Sequence, residues 1–205
     1  MAFRTNYRQN QGSILGPLGF LIITNVILWL ATSVRPNLFI ELFGVSLSSF
    51  FSQPWTIFTA MFIHSPFSSF SPIGSMMHIF GNMITLYFFG SYLINLVGER
   101  NFFIVYFVGG LLGNAAFLLL ASPLSTAIGA SGAVFAVGGA LTILRPKLPV
   151  TLLIFFFPVT VPLWMAVIGG FLIISPGIAW QAHLGGLALG LAAGYYFRRR
   201  TSLFF

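Results

Sequence analysis

Few residues in this chain can do acid–base or nucleophilic work. There are three histidines (His64, His78, His183), two carboxylates (Glu41, Glu99), no aspartate and no cysteine. Paired-aspartate hydrolysis and thiol chemistry are therefore excluded, and without an H-E-x-x-H stretch so is zincin-type hydrolysis. A Ser-His-Asp triad cannot be assembled, but a Ser-His pair can. The serine that stands out is Ser131, between small residues in G-A-S-G (129–132). A serine hydroxyl is a weak nucleophile until a base takes its proton, and neutral histidine is the usual base. His183 is the candidate base. His78 and Asn82, spaced i, i+4, share one face if their segment is helical. A metal site built from the three histidines lacks supporting ligands. The chemistry expected needs no metal and no cofactor.

The elements that must hold these residues are apolar. Of the 205 residues 58% are hydrophobic and 5% charged, and the mean hydropathy is +0.98. That composition implies an integral membrane protein of helical type. The apolar runs are Ile14–Thr32, Met76–Asn95, Phe102–Ala121, Ile128–Leu144, Val150–Ser175 and Ala179–Phe197. The fifth is broken by Pro158 and Pro162 and is taken as a helix over Val161–Ile174 with Val150–Thr160 as its broken approach. The expectation is an all-α polytopic protein, a single domain over 1–205, with six spans around a buried polar layer. Ala31-Thr32-Ser33 loosely resembles a signal-peptide cleavage site, but the first run is long for an h-region and is read as a retained span. With the N-terminus inside, Arg4, Arg8, Arg100, Arg145, Lys147, Arg198, Arg199 and Arg200 lie inside and only Arg35 outside. The positive-inside rule then puts both termini in the cytoplasm. The net charge of +7 reads as topology and not as nucleic-acid binding. Residues 33–75, rich in Phe, Ser and Pro, read as a loop with short helices in the membrane interface, with Trp55 and its phenylalanines facing lipid.

In this topology His78, Asn82, Ser131 and His183, from three helices, fall at one shallow depth below the outer surface. Each has a bland reading: Ser131 as a packing residue, Asn82 as interhelical glue. An intramembrane histidine is costly and usually functional. Gly186, Gly190 and Gly194 make a groove that lets a neighbouring helix approach beside His183. If that neighbour carries Gly129 and Gly132, Ser131 comes within hydrogen-bond distance of His183. Phe135, one turn beyond Ser131, is placed to stack on the imidazole. The Ser131 N–H near a helix start, with His78 and Asn82, supplies donors for an oxyanion. Nucleophile, base and oxyanion donors are the minimum set for acyl transfer.

G-A-S-G (129–132), A-H-L-G-G (182–186) and H-I-F-G-N-M (78–83) together resemble the rhomboid intramembrane serine proteases, in order and spacing from about Trp55 to Gly194. The resemblance implies a six-helix core, a Ser131–His183 dyad, an oxyanion site of His78, Asn82 and the Ser131 amide, and hydrolysis of peptide bonds in or beside the transmembrane segments of membrane-protein substrates. Three positions depart from the family pattern. The first-loop W-R-x-x-T element reads W-T-I-F-T (55–59), with Thr56 in place of arginine and its anchoring role lost. The family's glutamate near the end of the second helix is absent, and the stretch reads G-S-Y-L-I with Ile94. The histidine usual five residues before the oxyanion histidine is Ile73 here. F-I-H ends instead at His64, with "SPFSSFSPIGSMM" inserted before His78.

The expected setting is the lipid bilayer of an inner (plasma) membrane, with the site opening to the extracytoplasmic side. A connection over Ser175–Trp180 would roof a polar cavity and move with the fifth helix to admit substrate. A non-proteolytic relative that binds membrane clients is the alternative from another class. A channel or transporter would need more mid-membrane polar residues than Asn25 and Asn114. The sequence leaves the oligomeric state open.

Overall fold

Prolines and glycines set most of the element boundaries. The computed structural model describes residues 16–67, 71–154 and 157–201. Helix α1 (Pro17–Val34) opens with proline at its first position, where no N–H is needed, and stops ahead of Arg35-Pro36. Pro36 starts α2 (Pro36–Phe43), followed by the single turns α3 (Leu47–Phe50) and α4 (Thr56–Thr59). Helix α5 (Pro72–Val97) again starts on proline and ends at Gly98, whose φ of +85° suits a residue without a Cβ. Glu99 opens α6 (Glu99–Leu120), its carboxylate in the first turn. Helix α7 (Ser131–Leu144) ends ahead of Arg145-Pro146. A hairpin follows, β1 (Pro149–Ile154) pairing antiparallel with β2 (Phe157–Pro162), and then α8 (Leu163–Ile174) and α9 (Trp180–Thr201).

Among the described residues three helices, α1, α5 and α6, are long and apolar enough to cross a bilayer. Their outward faces carry large apolar side chains such as Phe20, Ile27, Phe88 and Leu119. This is a mostly helical, multi-pass membrane protein. The short α7 is the hub. It packs most extensively on α9 and then on α6, with α5 and α8 beside it. Its residues Ala136, Val137, Ala140 and Leu141 are fully buried.

Close helix approach rests on small residues. A methyl group on Gly186, Gly190 or Gly194 would collide with the backbone carbonyl of Gly132, Ala136 or Ala140 respectively. Two ladders of period four, one on α9 and one on α7, thus lie backbone against backbone. Helix α6 joins the same hub through Gly113, which faces the Ala182 carbonyl.

Several sequence expectations need correction. The chain is not all-α. Val150–Ile154 and Phe157–Thr160 are strand in the hairpin, and the β-branched Val150, Thr151, Val159, Thr160 and Val161 fit an extended chain. The second helix begins at Pro72, so four residues assigned to the loop are helical. Helix α7 begins at Ser131 and not at Ile128. Gly129 therefore lies outside the helix, at φ +117°, and does not line the α9 groove. Arg4, Arg8 and the start of the first run, with Phe155 and Phe156 of the fifth run, lie outside the described residues. The short helices expected within 33–75 are α2, α3 and α4, and Trp55, Phe51 and Phe58 are exposed there.

Candidate active site

The hub brings Ser131 and His183 together. Ser131 is the first residue of α7 and His183 lies in the first turn of α9. The glycine ladder starts three residues beyond His183, so the two helix starts approach closely. Ser131 Oγ lies 2.7 Å from His183 Nε2. His183 is buried, and the Phe135 ring packs on it with centroids 4.8 Å apart and planes 35° from parallel. Phe135 also makes an edge-to-face contact with Phe171 of α8, centroids 6.0 Å apart. The imidazole is thus held on one face by an aromatic ring.

The second nitrogen of His183 also has a partner, which the sequence did not disclose. Ser175 Oγ lies 2.8 Å from Nδ1. Ser175 closes α8 and is almost fully buried. Only its place after a helix end, followed by Pro176-Gly177 eight residues before His183, marks it in the sequence.

His78 and Asn82 face the same space from α5. A cavity of about 700 Å³ is lined by His78, Asn82, Ser131, Phe135 and His183, with Val167, Gly170 and Ile174 of α8 forming its far wall. Asn82 Nδ2 donates to the His78 carbonyl one turn back (2.7 Å) and carries a second hydrogen. The Ser65 N–H donates to His78 Nδ1 (3.3 Å), and Ser65 Oγ lies 3.0 Å from the same nitrogen. With Nδ1 accepting, the proton of neutral His78 sits on Nε2. That Nε2 is buried, has no hydrogen-bond partner among the described residues, and faces Gly129, two residues before Ser131. A methyl at Gly129 would lie 2.9 Å from it. The N–H groups of Ser131, Gly132 and Ala133 open α7 and have no acceptor within the helix. An orphan imidazole donor, a half-used amide and a helix start thus converge beside the Ser131 hydroxyl.

His64, fourteen residues before His78 in the sequence, lies beside it in space. Its ring centroid is 5.2 Å from that of His78, and its Nε2 accepts the Ala130 N–H at 3.3 Å. It is fully buried. Burial first, and the neighbouring His78 second, push its pKa down to about 3, so it holds the turn before Ser131 as a neutral acceptor. The loop is pinned nearby by Trp29, whose Nε1 donates to the Ser65 carbonyl (3.0 Å). The first-loop element is anchored without arginine. Trp55 Nε1 donates to the Leu42 carbonyl (2.9 Å), Thr59 Oγ1 to the Phe43 carbonyl (3.1 Å), and buried Thr56 Oγ1 to the Gln53 carbonyl (2.7 Å). Asn114 of α6 donates to the Ile57 carbonyl and fixes α4 from below (2.8 Å).

Of the supporting glycines, Gly132 and Gly186 meet at the α7–α9 contact, while Gly129 supplies the left-handed turn that admits His78. Glu41 and Glu99, both exposed, lie on α2 and α6. The family model for the Rhomboid domain matches residues 52–200. Rhomboid protein 1, mitochondrial, of Saccharomyces cerevisiae is 32% identical over 134 residues. The match covers 58% of this chain, and the chain spans 37% of that relative's length.

Proposed function

The chain belongs to the rhomboid family, and from that premise we propose that it is an intramembrane serine endopeptidase. Its substrates are membrane proteins, cut in or beside their transmembrane segments. The observation that carries this reading is the 2.7 Å approach of Ser131 Oγ to His183 Nε2 inside a cavity bordered by unspent donors.

Ser131 Oγ attacks the scissile carbonyl carbon as His183 Nε2 takes the hydroxyl proton. The carbonyl oxygen becomes an oxyanion, stabilised by His78 Nε2–H, the Asn82 amide and the Ser131 N–H at the α7 start. On collapse the C–N bond breaks and His183 passes its proton to the leaving amine. Water, deprotonated by His183, then hydrolyses the acyl-Ser131 ester and restores the hydroxyl. Phe135 keeps the imidazole plane fixed through these exchanges.

The topology that serves this reading is a single domain over residues 1–205 with six spans, the shorter α7 and α8 and the 22-residue α9 joining α1, α5 and α6. The 8-to-1 partition of basic residues supports cytoplasmic termini and a site toward the extracytoplasmic face, which this reading sets in an inner (plasma) membrane. The test is cleavage of a single-span substrate by purified protein in liposomes, beside Ser131→Ala and His183→Ala. Wild-type cleavage with both variants inert yet folded is the expected result. An inert wild type whose Ser131 resists a fluorophosphonate would overturn the protease reading in favour of client binding.

A further inference from the structure

We propose that Ser175 is a positioning residue for His183: its hydroxyl oxygen accepts the Nδ1–H and so fixes the tautomer that leaves Nε2 free to act as base. The inference rests on the dyad reading above.

The position of the hydroxyl is unusual for this protein. Thr24, Thr32, Ser33, Ser75 and Thr142 each donate to the carbonyl four residues back, the ordinary recourse of a helical hydroxyl in an apolar setting. The Ser175 hydroxyl is directed away from α8, onto His183 at 2.8 Å. Its backbone is held independently. Its N–H donates to the Phe171 carbonyl (3.1 Å) and its carbonyl accepts the Ile178 N–H (3.0 Å). The connection from α8 to α9 is short and bent through two positive φ angles, at Gly177 (+88°) and Ala179 (+21°). Ala179 is the one non-glycine residue with positive φ among the described residues. Its carbonyl accepts the N–H of His183 itself (3.3 Å), so the same strained turn places both partners.

The chemistry requires such a partner. A neutral imidazole with its proton on Nε2 would donate to Ser131 and could not take its proton. When Nε2 becomes protonated, both ring nitrogens are donors, and in a buried site the Nδ1–H needs an acceptor. Both carboxylates are exposed on α2 and α6, so neither fills this place. A hydroxyl can. It orients the ring without a full charge, in a setting where a buried carboxylate would be costly to ionise. The contact also ties the base to the helix that walls the cavity.

The experiment combines kinetics with [15N]histidine spectra, which contain only three imidazoles, assigned by single histidine substitutions. In wild type, the His183 signal is expected to show the Nδ1–H tautomer. Ser175→Ala should give a mixture of tautomers and a kcat lower by about 10- to 100-fold, by analogy with metal-bound histidines that lose an outer-shell partner. KM should stay within about twofold. Ser175→Thr, which retains the acceptor, should recover most of the kcat and the single tautomer. An unchanged His183 tautomer in folded Ser175→Ala overturns the inference, whatever the activity. A wild type inert on substrates overturns the protease reading instead, and the spectra still decide the role of Ser175.

Discussion

Gly186 on α9 lies so close to the carbonyl of Gly132 on α7 that no side chain fits between them. This contact sits between the helix turns that carry Ser131 and His183, and it sets their separation. Gly186→Ala should therefore do two things. Overpacking of this kind costs about 1–3 kcal/mol, read as a lower midpoint of thermal unfolding in detergent. Displacing the dyad by about 1 Å should cost on the order of 100-fold in cleavage rate. Gly169→Ala, where nothing lies within 4 Å, is the control and should leave both nearly unchanged. Equal behaviour of the two variants would contradict the packing account.

The proposed oxyanion donors lend themselves to a kinetic split. His78→Ala and Asn82→Ala should each reduce kcat by about 10²–10³-fold while KM moves little, because the interaction forms only as charge develops. Asn82→Asp should be worse than Asn82→Ala, since it sets an acceptor against the developing oxyanion. A change confined to KM would mean that these side chains bind substrate instead.

Substrate helices are expected to enter between α5 and α8. Met77 and Ile174 are both exposed and line opposite sides of the cavity. The chain contains no cysteine, so Met77→Cys/Ile174→Cys can be bridged with a bifunctional thiol reagent without background. Bridging should abolish cleavage of a bilayer-embedded substrate. Undiminished cleavage in the bridged protein would rule this entrance out.

His64 makes a prediction about stability and pH. In the unfolded chain it titrates near 6.5, and in the fold near 3. Between these values the unfolded state binds a proton that the folded state does not. Its contribution is thus fully present above about pH 6.5 and is lost progressively as the pH falls toward 3. Thermal unfolding in detergent should show a midpoint that drops between pH 7 and pH 4.5. His64→Asn should flatten that drop while lowering the midpoint at pH 7. Identical slopes for the two proteins would contradict a buried neutral His64.

The candidate site was legible in the sequence where chemistry and spacing coincide. G-A-S-G, A-H-L-G-G and H-I-F-G-N-M mark Ser131, His183, His78 and Asn82, and the period-four glycines mark the groove that lets α7 and α9 meet. Phe135 follows from helical geometry, one turn past Ser131. What escaped depends on turns. Ser175 reaches His183 only because the 175–179 connection folds back through Gly177 and Ala179, and no periodicity encodes that. Ser65 reaches His78 Nδ1 across a thirteen-residue separation. His64 lies beside His78 although fourteen residues separate them, held there by the Ala130 amide. The hairpin was misread since an apolar run with prolines fits a broken helix as well as paired strands. Its β-branched clusters, Val150-Thr151 and Val159-Thr160-Val161, are the signal for strand.

That hairpin has a consequence for the surrounding lipid. Helix α8 has twelve residues, a rise of about 18 Å, against a hydrocarbon core of about 30 Å. Strands β1 and β2 cannot make up the difference in hydrocarbon, because each leaves an outer edge of peptide groups that requires water or protein. In the proposed topology, the acyl chains on this flank must shorten or tilt to meet the protein, at fractions of a kcal/mol per Å of mismatch. A client helix drifting to the α8 side would therefore meet a thinned membrane before it met Ser131. Part of its span would already be shedding lipid contact, so the bilayer itself would begin the unwinding that exposes a peptide bond to Ser131.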